Sequence, residues 1–458
     1  MKNLAGTTYP LTAAQNILFY SQKFTLHKQV NNIFTLITLE QELDFQVLQR
    51  AIELAYEQND ALHIRLAKVR GEFRQFFYPG ESPRIGFLDF LCKKRDAMER
   101  KLYRLASKPF YLQNRPMSRI WMIRTADGMS GIYFGVSHIV LDSWGICVLM
   151  KHVMDLYAAL KCGNPMPKPL YPHEPLLIAD VGYRDTPQYR KDLEFWKREC
   201  MCEEPWYTHV NGPEVLEAYR RKKRNNQLQG SPSFSLRTKA LHETIIIPRE
   251  DVLVMEAFCR EHALPMQTLF LFGVRTCLSK RNRRQKDVSI NATVARRSTL
   301  QERFSGGTLV HAFPFRTVIE ESCTFLDAVG QVHGRQSLLY RHAGIDYLEI
   351  LKLIQDAYFN GDPMPSHQAV CLTFQPVALT LGEGAACHTK WYCNGVSSQP
   401  FYLTIMDDDG SGGLRCYYEY QRSVVKRQTV LDFHANMVKV ILAGISNRDV
   451  TVGELLDL

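Results

Sequence analysis

A single change of hydrophobic period constrains this chain more than any other feature. Ile132-Tyr133-Phe134-Gly135-Val136 is an unbroken apolar run of strand length, whereas Ile146, Leu149, Met150, Val153, Leu156, Tyr157 and Leu160 recur at helical spacing. Between the two lies Ser137-His138-Ile139-Val140-Leu141-Asp142-Ser143-Trp144-Gly145, a polar loop. The strand also has a partner close behind it. A second apolar run covers 120–124, and Asp127-Gly128 between the runs is a strong hairpin signal. Gly163 suits the end of the helix. This stretch therefore reads as hairpin, loop, helix, with His138 and Asp142 at the strand-to-helix junction.

The rest of the chain alternates in the same manner. Pro10 breaks structure and Thr12 is placed to cap a short helix through Phe19-Tyr20. Residues 30–39 read as a strand, 44–58 as a helix, 62–66 and 73–78 as a second pair of strands, and 94–105 as a helix. The stretch 163–175 is rich in proline and reads as a lobe boundary. Beyond it, helical patterning at 189–196 precedes a second set of elements. These are strand 241–247, helices 249–262 and 269–278, strands 288–294 and 310–318, helices 324–340 and 348–357, and strand 369–374. A last hairpin, 401–406 with 414–420, turns through Asp407-Asp408-Asp409-Gly410-Ser411-Gly412-Gly413, and a helix at 427–443 follows. The three aspartates lack the ligand spacing of a calcium loop and are read as a turn. The fold class is α/β, divided into an N-terminal lobe, 1–175, carrying the polar loop, and a C-terminal lobe, 176–458.

Composition excludes several classes. A chain of 458 residues is long enough for roughly two or three domains, each with a full core. No run of about 18 apolar residues occurs, so no membrane span is predicted. The first six residues hold one lysine and no apolar stretch, which gives no secretion signal and predicts a cytoplasmic protein. Twelve cysteines sit mostly singly in apolar runs (Cys147, Cys259, Cys277), as small buried hydrophobes do. A net charge of +9 suits an acidic partner without saying which. Arg220-Arg221-Lys222-Lys223-Arg224 has no interleaved aromatic platform and reads as a solvated linker or helix end, not a nucleic-acid patch. Phosphate-loop, dinucleotide, zinc-protease and nucleophile-elbow motifs are absent. Cys200-Met201-Cys202 and Cys387-His388 lack zinc spacing and are read as free thiols, so no metal is expected.

The pattern His-x-x-x-Asp is weak by itself. Of fourteen histidines, His138 and His342 both have Asp four residues on, at Asp142 and Asp346. Context separates them: His138 follows a hairpin strand and precedes a helix, whereas His342 lies between two helices.

Read together, four stretches resemble the condensation domains of nonribosomal peptide synthetases, within the chloramphenicol-acetyltransferase-like group with a His-His-x-x-x-Asp-Gly motif. Ser137-His138-Ile139-Val140-Leu141-Asp142-Ser143-Trp144 is similar to that motif at its second His, its Asp and the following Trp. Leu11-Thr12-Ala13-Ala14-Gln15 resembles the opening Leu-Ser-x-x-Gln. Ala295-Arg296-Arg297 and the segment from Gly307 to Arg316 resemble the paired Gly-Arg and Val-Gly-x-Phe-Val-Asn segment, with His311 in place of Asn. The ending from Phe401 through Tyr418-Glu419-Tyr420 also fits, so the resemblance covers nearly the whole chain.

The resemblance implies two chloramphenicol-acetyltransferase-like lobes in a V-shaped pseudo-dimer, with mixed sheets flanked by helices. It implies condensation: an amine or hydroxyl attacks a carrier-bound acyl or peptidyl thioester, with His138 as the catalytic residue. Asp142 and Arg297 would form a structural pair, and Ser137, Ser143 and Trp144 complete the loop. No cofactor is held covalently; the phosphopantetheine arm of a carrier protein, or CoA, brings the substrate. Peptidyl or acyl carrier proteins acting in trans are the implied partners of a monomer, with neither nucleic acid nor membrane. Ser137 and Ser143 replace the family's first His and its Gly. Two other readings stay open: an acyl-CoA-dependent O- or N-acyltransferase, and a degenerate domain that only docks carrier proteins.

Overall fold

The computed structural model describes residues 7–78, 80, 82–232, 238–375, 387–407 and 411–458. Residues 1–6 and the middle of the aspartate-rich turn, 408–410, lie outside these. Two mixed sheets organise the described chain. In the first, the strands run in the order Cys387–Tyr392, Asn32–Leu39, Ser130–Ser137, Ser118–Arg124 and Ile85–Asp89. All neighbours are antiparallel except the last pair. In the second the order is His311–Val318, Asp287–Val294, Val370–Gln375, Phe401–Met406, Leu414–Gln421 and Ala240–Ile247, with Val370–Gln375 parallel to both its neighbours.

The central strands of the first sheet are apolar on both faces because both faces are covered. Every residue of Ser130–Ser137 is buried, as expected for a strand between two layers. On one face Phe134 and Val136 pack with Leu48, Ile52 and Leu156 from the helices Phe45–Glu57 and Ser143–Cys162. On the other, Tyr133 packs with Phe34, Leu102 and Phe110 over the helix Arg95–Ala106. Gly135 lets the sheet close, since a Cβ there would stand 2.1 Å from the Phe34 ring. The second sheet has its own core. The buried helix Met266–Arg281 lies among Phe325, Phe433 and Tyr418.

Local signals read from the sequence set most boundaries. Thr12 caps the helix Ala13–Phe24 in a full capping box with Gln15. Asp127-Gly128 turns the hairpin with Gly128 at φ +87°, and Gly163 ends the long helix at φ 71°. The basic run at 220–224 forms the last turn and cap of the helix Glu214–Lys223. Sequence reading passed over the strands Ile85–Asp89 and Cys387–Tyr392 and the helices Glu174–Val181 and Val452–Asp457. Cys387–Tyr392 comes late in the chain yet pairs with Asn32–Leu39, stitching the C-terminal part into the first sheet. Among the described residues, no helix is long and apolar enough to cross a membrane.

Candidate active site

The loop between Ser130–Ser137 and Ser143–Cys162 is held by its main chain from four sides. Ser137 donates to the Met117 carbonyl at 2.8 Å and His138 to the Asn31 carbonyl at 2.7 Å. The Gln15 amide donates to the Ile139 carbonyl at 3.1 Å, and the Thr308 hydroxyl donates to the His138 carbonyl. Gln15 is fixed in turn by paired amide bonds with Gln75. Such anchoring fixes the backbone from which the His138 ring projects. Its Nδ1 is covered and has no hydrogen-bond partner, so Nε2 is the nitrogen that reaches the cavity. Burial lowers the His138 pKa below its ordinary 6.5, against the opposing charge of Asp142. The imidazole is therefore neutral at pH 7 and able to accept a proton.

Asp142 points the other way. It is 3% exposed and caps the following helix, accepting from Gly145 N at 2.7 Å. The same oxygen takes Arg297 Nη2 at 2.8 Å, and its other oxygen takes Leu309 N at 3.0 Å. Burial disfavours the charge on Asp142, but Arg297 and the two N–H groups outweigh it and hold the carboxyl below its ordinary 3.8. Arg297 is itself fully covered and donates to the carbonyls of Glu302, Ser305 and Gly307 at 2.5, 3.1 and 2.9 Å. Its guanidinium lies 6.0 Å from the Trp144 ring, whose Nε1 donates to the Arg303 carbonyl at 3.0 Å. Ser143 opens the helix without a positive φ, so this position does not demand glycine. Its hydroxyl donates to Gln375 on the second sheet.

His138 opens into a cavity of about 310 Å³ between the two sheets. Asn31, His138 and Ser143 line it from the first lobe, and Thr293, Thr373, Tyr402 and Glu419 from the second. A larger groove of about 1030 Å³, beside Tyr111, Arg115 and Trp121, contains none of the loop residues, so volume does not mark the site. The other candidate histidine is elsewhere. His342 Nδ1 meets Asp192 at 3.0 Å and its ring stacks on Phe195, while Asp346 caps the helix Tyr347–Tyr358 and accepts from Asn16. His342 and Asp346 thus have separate structural partners.

Sequence reasoning gave no site role to Gln375 or Glu419 and did not link Arg296 and His311 to Asp180 in a buried relay. Asp180 accepts from Ala13 N and from Arg296, each at 2.8 Å. Arg296 donates to His311 Nε2 at 2.7 Å, and His311 Nδ1 therefore donates to the Ala343 carbonyl at 2.9 Å. Burial and the Arg296 charge push the His311 pKa down to about 3. This relay ties the first helix to the second sheet.

Two mixed sheets joined across a cavity, with a neutral histidine lining it from a strand-to-helix loop, define a chloramphenicol-acetyltransferase-like two-lobed fold. The family model for the condensation domain matches residues 5–457, and the chain belongs to that family. Over 98% of its length it is 20% identical to a plipastatin synthase of Bacillus subtilis (strain 168). Over 75% it is 24% identical to a linear gramicidin synthase of Brevibacillus parabrevis. The chain spans only 17% and 4% of those two proteins. Among solved structures, the first condensation domain of the calcium-dependent antibiotic synthetase, in complex with a substrate analogue, matches with a TM-score of 0.80 at 17% identity, covering 98% of both chains. The starter condensation domain of rhizomide synthetase, in complex with C8-CoA, matches with a TM-score of 0.81 at 16% identity, covering 98% of this chain and 97% of that one.

Proposed function

We propose that this chain catalyses condensation-type acyl transfer in nonribosomal peptide biosynthesis, with His138 as the catalytic residue. The supporting observation is the His138 imidazole, neutral, held by its main chain and open through Nε2 to the cavity between the lobes. An acyl or peptidyl thioester on a phosphopantetheine arm supplies the carbonyl, and an amine or hydroxyl is the nucleophile. As the amine attacks, a C–N bond forms and Nε2 takes the proton the nitrogen sheds. The C–S bond then breaks, and the proton passes to the departing thiolate. Because thioesters are already reactive, alignment of the two arms in the cavity contributes much of the acceleration.

Asp142, Arg297 and Trp144 serve structure in this reading, while Ser137 and Ser143 shape the loop. Residues 1–175 form the lobe that carries the loop and 176–458 the other, apart from the strand that crosses over. Carrier proteins acting in trans on a cytoplasmic monomer complete the proposal.

The test supplies loaded carrier proteins and acyl-CoAs separately with an amine or alcohol, and follows the acyl group by intact mass. His138→Ala should lower transfer by roughly 10²–10⁴-fold with unchanged thermal unfolding. Full activity in that variant would sink the assignment. A wild type that moves nothing from either donor would favour the docking reading. Transfer from CoA but not from a carrier would favour the CoA-dependent one.

A further inference from the structure

The face of the second sheet that forms the cavity floor is polar, whereas its opposite face is core. On Leu414–Gln421, Cys416, Tyr418 and Tyr420 belong to the core, and Glu419 lies on the cavity side. A hydroxyl chain crosses that floor: Thr293 Oγ1 lies 3.0 Å from Thr373 Oγ1, which lies 2.8 Å from Tyr402 Oη. Glu419 pairs in register with Tyr402 on one side and His242 on the other. Among the described residues lining the cavity it is the one carboxylate, and none is Lys or Arg. Its side-chain hydrogen bond is to the Cys393 thiol, and burial pushes its pKa up to about 7. A buried carboxylate without a cation is costly to keep, and a bound cation relieves that cost.

The cation it suits is not the reacting amine. His138 stands on the loop after Ser130–Ser137 of the first sheet, whereas Glu419 stands on Leu414–Gln421 of the second. They are nevertheless within one ligand's span. Asn394, next to Cys393, donates to the Val30 and Asn32 carbonyls at 3.3 and 3.0 Å, on either side of the Asn31 carbonyl that receives the His138 N–H. A substrate reacting at His138 can therefore extend over the floor towards Glu419.

We propose, building on the acyl-transfer reading, that Glu419 is a specificity residue that pairs with a cationic side chain, ammonium or guanidinium, carried by the substrate in addition to its reacting amine. Tyr402 and Trp391 line the same cavity, and aromatic rings attract such a group.

Calorimetry with amide analogues of aminoacyl-pantetheine tests this without turnover. The wild type should bind the lysyl analogue about ten times more tightly than the neutral norleucyl analogue at pH 8, as a partly desolvated charge pair gives. Glu419→Gln should abolish the preference. It should also fade in the wild type towards pH 6, as Glu419 takes a proton. Of the titratable groups facing Glu419, burial lowers the His242 pKa from its ordinary 6.5, and the Cys393 thiol and Tyr402 phenol are pushed up out of the range, so Glu419 is the first of them to take a proton as pH falls from 8. Equal binding of the two analogues by the wild type, or of neither, overturns the proposal, as does a preference that survives in Glu419→Gln. Should that variant not fold, the wild-type pH series decides. Equal binding alongside active transfer refutes only the role of Glu419, whereas a lysyl preference without transfer refutes only the enzymatic reading.

Discussion

Replacing Asp142 by Ala separates structure from chemistry at this site. The carboxylate receives Arg297 at 2.8 Å, Gly145 N at 2.7 Å and Leu309 N at 3.0 Å, and the Arg297 side chain is 0% exposed. Removing it leaves a buried guanidinium without its counter-charge and two main-chain donors without an acceptor. Breaking a buried pair from one side costs about 3–5 kcal/mol. For the lobe 1–175 that carries Asp142, unfolding as a unit, each kcal/mol lowers Tm by roughly 2–4 °C, so a drop of roughly 6–20 °C is expected by scanning calorimetry. Arg297→Met added to Asp142→Ala should recover part of the loss, because no charge is then buried alone. The carboxyl is held below 3.8, so its stabilisation is present in full above that value and is lost as pH falls through the lower native value. If Asp142→Ala unfolded at the wild-type temperature and transferred at the wild-type rate, the structural role would be refuted.

Two further outcomes follow from the surroundings of the loop. Gly307 has φ +95°, and a Cβ there would stand 2.2 Å from the ring of buried His173, so Gly307→Ala should lose folded protein, read as soluble yield and Tm, by about 1–3 kcal/mol for backbone strain before the clash is added. His311 titrates at about 3 in the fold against an ordinary 6.5. Folding stability from this group is therefore complete above pH 6.5 and declines as pH falls from there towards 3. His311→Asn should flatten the fall in Tm between those values relative to wild type, and an unchanged slope would show that His311 is not the group responsible.

Much of this protein was legible in local pattern. The Asp127-Gly128 hairpin, the Thr12–Gln15 capping box and the helix from Ser143 to Gly163 depend on residues a few positions apart, and the sequence displays them directly. The candidate site was legible in part: the loop and the likeness of Arg297 to a family arginine drew attention to residues that stand 155 positions apart and meet at 2.8 Å. The bond of Ser143 to Gln375, across 232 positions, and the Asp180–Arg296–His311 relay left no local mark.

What the sequence determined by itself was the order and type of most elements and the place of His138 at a strand-to-helix junction. Tertiary structure decided which strands became neighbours and which faces were covered. Alternation along Leu414–Gln421 separates Glu419 from Tyr418 and Tyr420, but whether its face meets solvent, core or cavity depends on the opposing lobe. Likewise Cys387–Tyr392 is too short to announce its partner, and only the free edge of Asn32–Leu39 assigns it to the first sheet. The physical reason is the same in each case: periodicity records how a segment divides its faces, whereas burial and pairing are set by segments distant in the chain.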